Sequence, residues 1–200
     1  MVFDILSRRD KDREEYGDRL PPGQKVTRDW PVLTYGSVPR IKLDDWRFRV
    51  FGLVEKEMEW NWEQLTALPR TKVHADIHCV TAWSKMDTNF EGLSIPDFMS
   101  YIQPKPEAQA IMAHCYGGYT TNVSLDDFVR SNNLLAYLYE GQPLPTEHGG
   151  PCRLFVPHLY FWKSAKWVNG IEFIRTDTPG FWERYGYNMR GDPWKEERYS

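Results

Sequence analysis

Every histidine and every cysteine of this chain falls between His74 and His158. The soft side chains able to hold a transition metal or carry redox chemistry therefore share one central window. Its densest point is Ile77-His78-Cys79-Val80-Thr81-Ala82-Trp83-Ser84, where a thiol follows a strand-like run and precedes turn formers. A side chain at such a strand end can project into a cleft, and a thiolate is the natural ligand for a thiophilic metal. Cys115 and Cys152 lack that context and read as small buried hydrophobes. His74, His78, Cys79, His114 and Cys115 make a conceivable zinc set, but the local pattern opposes it. Val73, Ala75 and Ile77 alternate with His74, Asp76 and His78, which is strand periodicity, and residues four apart on a strand lie ~13 Å apart. No Cys-x-x-Cys pair supports a closed zinc site.

A second concentration runs from Gly141 to Pro157, where glycines and prolines fix a rigid loop with His148 and Arg153 flanking its tip. Just beyond it, Lys163-Ser164-Ala165-Lys166-Trp167 offers two amines, a hydroxyl and backbone amides. Together these read as a phosphate clamp, with Arg153 as a bidentate fork and Lys166 as a point charge. No Gly-x-Ser-x-Gly elbow, Walker loop or Gly-x-Gly-x-x-Gly fingerprint appears, so acyl transfer, nucleotide hydrolysis and a Rossmann site lack their anchors.

The elements that must position these residues are short. Asn61 with Gln64, Ser94 with Asp97 and Ser124 with Asp127 predict three brief capped helices. Trp46–Gly52, the run into Cys79, Ala110–Ala113, Leu134–Tyr139, Arg153–Val156 and Ile171–Ile174 read as strands. Residues 1–23 form a charged N-terminal arm, with a short helix, closed by Pro21-Pro22-Gly23. A single domain follows over 24–200, with a C-terminal extension from about 180. The irregular order of elements predicts an α+β fold. Two hundred residues with 15% aromatics and nine tryptophans suffice for one core. A net charge of −3 with both signs interspersed gives no field for nucleic acid. No run approaches the ~20 apolar residues of a membrane helix. Three cysteines without an export-type leader point to free thiols in a reducing, cytoplasmic setting.

Three blocks carry a family resemblance. His78-Cys79-Val80-Thr81-Ala82-Trp83-Ser84 resembles the segment that supplies the molybdenum thiolate in the sulfite oxidase family, particularly in the catalytic subunit of bacterial methionine sulfoxide reductase. Tyr116-Gly117-Gly118-Tyr119-Thr120-Thr121-Asn122 resembles the family's central motif, and Gly141 through Trp167 its C-terminal pterin-binding block. The likeness covers roughly residues 24–190. It implies a sulfite-oxidase-type molybdopterin-binding domain of mixed sheets and short helices, with the molybdenum cofactor bound. By position it implies Cys79 as the molybdenum ligand and the catalytic residue, with His148 and Arg153 on the pterin and its phosphate. Ser164, Ala165 and Lys166 would close over the cofactor, His114 would line the pterin, and Thr34 and Tyr35 would form an N-terminal contact.

Sulfite oxidases follow their ligand cysteine with an Ala-Gly-Asn-Arg-Arg type run whose arginine binds the anion, whereas here the run is Val80-Thr81-Ala82-Trp83-Ser84. The chain also shows no immunoglobulin-like dimerisation domain, haem domain or twin-arginine signal, and the resemblance therefore implies a minimal cytoplasmic member. The expected activity is two-electron oxo transfer on a small S-oxide, N-oxide or sulfite-like substrate, with an electron donor or acceptor protein as partner. Trp83, Tyr119 and Trp162 are expected as cleft walls, and Lys85 and Lys163 as attractors of an anionic substrate. The competing expectation is a pterin-binding or scaffold protein that keeps the fold without turnover.

Overall fold

In the computed structural model, residues 2–200 are described, with the side chains of residues 2–8 left out of account. Along the chain lie helix α1 (Val2–Tyr16), strands β1 (Lys25–Val26), β2 (Arg47–Gly52) and β3 (Met58–Asn61), helix α2 (Trp62–Thr66), and strands β4 (Thr71–His78) and β5 (Trp83–Ser94). Helix α3 (Ile95–Ser100), strands β6 (Ala110–Cys115) and β7 (Thr120–Ser124), and helix α4 (Leu125–Phe128) follow. Strands β8 (Leu134–Tyr139), β9 (Gln142–Pro143), β10 (Arg153–Phe155) and β11 (Val168–Ile174) complete the framework.

The three expected caps are all present. Asn61 and Gln64 exchange side-chain and backbone bonds as a full capping box, and Ser94 and Ser124 each accept the amide of the residue three positions on. The arm carries a fifteen-residue helix, longer than the short one expected, and its Met1 lies outside the described residues. Strands β3, β5 and β7 were not anticipated from the sequence.

Two sheets hold the fold together. One runs β1-β5-β8-β10, with β4 on β5 and β9 on β8; the other runs β3-β2-β11-β6-β7. Strand β2 shows why the layers face as they do: Arg47 and Arg49 are exposed while Phe48 and Val50 are fully buried, the two-residue period of a half-buried strand. Side chains of both sheets, including Phe48, Leu135, Leu154 and Ile171, share the principal core. Leu134 and Ala136 of β8 and Phe155 of β10 point the other way. There they pack with Val73, Ile77, Cys79, Trp83 and Phe90 in a second core on the far face of the first sheet. Cys79 thus sits at the edge of an apolar layer, in the turn between β4 and β5. Each large side chain buried there contributes about 1.5–3 kcal/mol, which fixes the base of that turn.

Candidate active site

Cys79 and Ala82 bound a four-residue reversal in which Cys79 N–H donates to Trp83 O (2.8 Å) and Ala82 N–H donates to Cys79 O (3.1 Å). The turn needs Ala82 in the left-handed region, at φ 68°. The Cys79 thiol is 7% exposed and lies 3.1 Å from Thr81 Oγ1. Burial pushes its pKa up, while the Thr81 hydroxyl and the nearby Arg198 charge pull against that rise.

This thiol opens onto a cavity of about 280 Å³, at the small end of ligand pockets. Thr34, Tyr35, Cys79, His148, Arg153, Ser164, Ala165 and Lys166 all line it, as do the expected walls Trp83, Tyr119 and Trp162. His114 is not among them. It lies on β6, with Nε2 2.9 Å from Glu172 Oε2 and its ring 5.3 Å from Phe51, away from the cavity. Sheet pairing of β6 with β11 turns that histidine toward Glu172.

The rigid loop is tight for a reason visible in its backbone. Gly149 has φ 110°, and a Cβ on Gly150 would stand 2.1 Å from Leu144 O, so only glycine fits there. This geometry brings His148 to the cavity, its ring stacked on Trp30 at 3.7 Å and 10°. Burial first, and then the charges of Lys166 and Arg153, lower the His148 pKa to about 4, so the imidazole is neutral at physiological pH.

Arg153 departs from the expected fork. It is 1% exposed, Nη1 donates to His148 O at 2.7 Å and Nη2 to Ser164 O, and its guanidinium lies 4.0 Å over the Phe161 ring. Both terminal nitrogens are thus spent on clasping two loops together, and Nε is left buried without a partner. Desolvation lowers the Arg153 pKa to about 9. Lys166 Nζ donates to Leu33 O (2.7 Å) and Glu147 O (2.6 Å), and burial beside Arg153 lowers its pKa to about 8.

The amides of Lys163, Ser164, Ala165 and Trp167 are engaged by Tyr160, Phe161, Lys163 and Gly149 carbonyls, so they are not the free amides the sequence suggested. Lys163 is not an attractor of substrate either. It is fully buried, with Nζ 2.6 Å from Glu183 Oε1 and within 2.9 Å of Asn122 O, Asn122 Oδ1 and Met189 O. Lys85 Nζ donates to Arg28 O at 2.6 Å and is outside the cavity lining.

Further lining residues, Trp30, Phe161, Trp182 and Tyr187, escaped the sequence reading. Trp30 comes from an irregular segment without periodicity, and Trp182 and Tyr187 belong to the region treated as an extension. The histidines considered for zinc are separated by burial. His74 is exposed near Asn89 and Asp87, whereas His78 is 1% exposed with Nδ1 2.8 Å from Ser84 Oγ. Among the described residues, no three His, Cys, Asp or Glu side chains converge on a metal position.

The donor set suits a pterin carrying a dithiolene and a phosphate. Three residues that line the cavity, His148, Arg153 and Trp83, each carry a buried polar atom (Nδ1, Nε and Nε1) with no partner within the protein, and such orphans call for a ligand or water to complete them. The same lining carries a thiol, Cys79, and two cations, Arg153 and Lys166.

A two-layer α+β fold in which one cavity is lined by a thiol-bearing turn and by two cations suits a cofactor-dependent oxidoreductase, and comparison with known proteins agrees. Residues 35–182 match the oxidoreductase molybdopterin binding domain, and the chain belongs to that family. Similar proteins include an uncharacterized oxidoreductase, YuiH, of Bacillus subtilis (strain 168), 46% identical over 94% of this chain and 96% of its own. Another is a putative protein-methionine-sulfoxide reductase subunit, YedZ1, of Azospira oryzae, 26% identical over 85% of this chain and 66% of its own. The sulfane dehydrogenase SoxCD of Paracoccus pantotrophus superposes with a TM-score of 0.66 at 21% identity, covering 78% of this chain and 46% of that one. The fold is therefore of the sulfite-oxidase type, and the protein is a molybdopterin-dependent oxidoreductase.

Proposed function

We propose that the protein catalyses two-electron oxo transfer on a small neutral S-oxide or N-oxide, with Cys79 as the protein ligand to molybdenum. The observation that carries this reading is that Cys79, His148 and Arg153 line one cavity, the last two each with a buried nitrogen that has no partner within the protein. When bound, the cofactor supplies the two-electron redox chemistry and the exchangeable oxygen. Cys79 would ligate the metal. Neutral His148 would hydrogen-bond the pterin, and Arg153 and Lys166 would balance its phosphate charge. Aromatic walls from Trp83, Tyr119, Trp162 and Tyr187 exclude water and favour an apolar substrate body.

Substrate charge follows from the same wall. The cations among the lining residues are Arg153 and Lys166, and both would be taken up by the phosphate of the cofactor. A bare anion such as sulfite would be desolvated there without a dedicated partner, a cost of several kcal/mol. Reduction of a sulfoxide consumes two electrons and two protons and releases the thioether and water, so an electron-donor protein is part of the proposal. The relative described as a methionine-sulfoxide reductase subunit supports an S-oxide as the first substrate to try. Three free cysteines suit a reducing compartment and support a cytoplasmic location. Among the described residues, no helix is long and apolar enough to cross a membrane.

The test is metal and pterin analysis of purified protein, followed by turnover of S-oxides, N-oxides and sulfite with artificial electron carriers. One molybdenum per chain with S-oxide or N-oxide turnover is the expected result. Molybdenum-loaded protein inert toward every substrate would favour a non-catalytic pterin-binding scaffold, and a preference for sulfite would overturn the neutral-substrate reading. Cys79→Ser should keep pterin but lose the Mo(V) resonance and activity.

A further inference from the structure

The turn that carries Cys79 is held from outside by segments near the two ends of the chain. Cys79 O already accepts the turn's own bond from Ala82 N–H and takes a second from outside, while Val80 O and Ala82 O accept from outside the turn. Gln24 Nε2 donates to Cys79 O at 3.0 Å in a buried contact. Lys25 N–H donates to Ala82 O at 3.1 Å, continuing into the parallel pairing of β1 with β5. From the far end, Arg198 Nη1 donates to Val80 O.

Neither side chain is a loose surface group. Gln24 is 3% exposed. The Arg198 side chain is 17% exposed, and its guanidinium lies 5.0 Å over the ring of fully buried Tyr160. Its backbone is fixed as well, since Arg198 O accepts from Asn188 N–H at 3.2 Å. The neighbouring Tyr187 and Tyr199 form a bridge, and Tyr187 lines the cavity.

A four-residue turn with one left-handed residue has few internal conformers, but its tilt against the sheet depends on what its carbonyls bind. The thiol on its first residue moves with that tilt. We propose that Gln24 and Arg198 are positioning residues for the Cys79 thiol, clamping the carbonyls of Cys79 and Val80 so that the sulfur meets the metal in one geometry. Both lie outside the span, 35–182, that the family description covers. The proposal rests on the reading of Cys79 as metal ligand. Outer contacts of this kind alter metal affinity or activity by about 10–100-fold when removed.

The experiment uses the full chain loaded with cofactor, carrying Arg198→Gln, Arg198→Lys or Gln24→Leu. It measures molybdenum and pterin content, the Mo(V) paramagnetic signal, and kcat and KM separately. Arg198→Gln is expected to retain pterin, show a shifted or split Mo(V) signal, and lose about tenfold or more in kcat with little change in KM. Arg198→Lys, which keeps a donor for Val80 O, should recover the signal shape and much of the rate. In cofactor-free protein, Arg198→Gln should change the alkylation rate of Cys79 severalfold.

A wild-type signal and wild-type kcat in Arg198→Gln, with only a lower melting temperature, would overturn the proposal. Should that variant fail to fold, a wild-type signal and wild-type kcat in Gln24→Leu, which removes the donor to Cys79 O, overturn it equally. Cys79→Ser separates the two ideas. If it keeps the Mo(V) signal, the ligand reading falls and the clamp with it; if it loses the signal while Arg198→Gln and Gln24→Leu show the wild-type signal unshifted, only the clamp falls.

Discussion

Lys166 and Arg153 sit in the cavity with their charges already strained by burial, at pKa values of about 8 and 9. An incoming phosphate would stabilise the ammonium and guanidinium forms, so binding and protonation are linked. Below pH 8 Lys166 is charged and favours the anion; above it the proton must be taken up on binding, and affinity falls by up to about tenfold per pH unit. Equilibrium dialysis of pterin between pH 6 and 9.5 should therefore show retention that declines above 8. Lys166→Arg should hold it to higher pH, because the guanidinium is harder to deprotonate. His148, at about 4, stays neutral across that range and adds no inflection, so a flat profile would remove Lys166 from the phosphate site. These residues were visible in the sequence by type and clustering, but their hydrogen bonding was not. The partners of Arg153 are carbonyls of His148 and Ser164, and Lys163 spends its charge on Glu183, twenty residues on. Such pairings are set by the fold and leave no local trace.

At the scale of elements, the helix starts were legible because a cap is a contract between residues three apart, as Asn61 with Gln64 and Ser94 with Asp97 display. Strand β5 was not. Its run Trp83-Ser-Lys-Met-Asp-Thr-Asn-Phe-Glu-Gly-Leu-Ser94 is poor in β-branched residues and mostly polar, and it is extended because β4, β8 and β1 all bond to it. Gly92 marks where that crowding is greatest, at the register shift between β5 and β8. A Cβ there would stand 2.0 Å from Leu135 O and 2.7 Å from Ala136 Cα, both backbone atoms that cannot step aside. Gly92→Ala should destabilise by about 3 kcal/mol, the upper end for overpacking, read as a lower denaturant midpoint. Gly118 is the control, since a Cβ there meets nothing within 4 Å and only its φ of +83° resists. Gly118→Ala should cost about 1–2 kcal/mol. Equal losses at both positions would show that the β5–β8 approach is slacker than it looks.

Across the whole molecule, the segments treated as arm and extension pack onto the central domain. Arg19 bonds Asp76 and Asp87 at 2.6–3.0 Å, and Trp194 Nε1 donates to Asp18 O at 3.0 Å. Neither contact has a sequence signature, because each joins positions far apart in the chain. One tie to the C-terminal segment runs through Asp127, whose carboxylate meets Arg190 (2.9 Å) together with Arg130 (2.8 Å) and His158 (3.1 Å). Burial alone would raise its pKa, but the bonds from His158 and Arg190 prevail and hold it well below the usual carboxylate range. A depressed folded-state pKa means that the stabilisation is fully present above the unfolded value near 4 and is withdrawn as pH falls toward the folded value. About 2–3 kcal/mol should be lost from this group between pH 4 and 2. Denaturant midpoints recorded from pH 7 to 2 should steepen downward below 4 in the wild type. Asp127→Asn should start lower at neutral pH and fall less steeply below 4. A variant that matches the wild-type acid slope would mean that Asp127 does not supply the acid lability and that the extension is held by Lys163 and Glu183 instead.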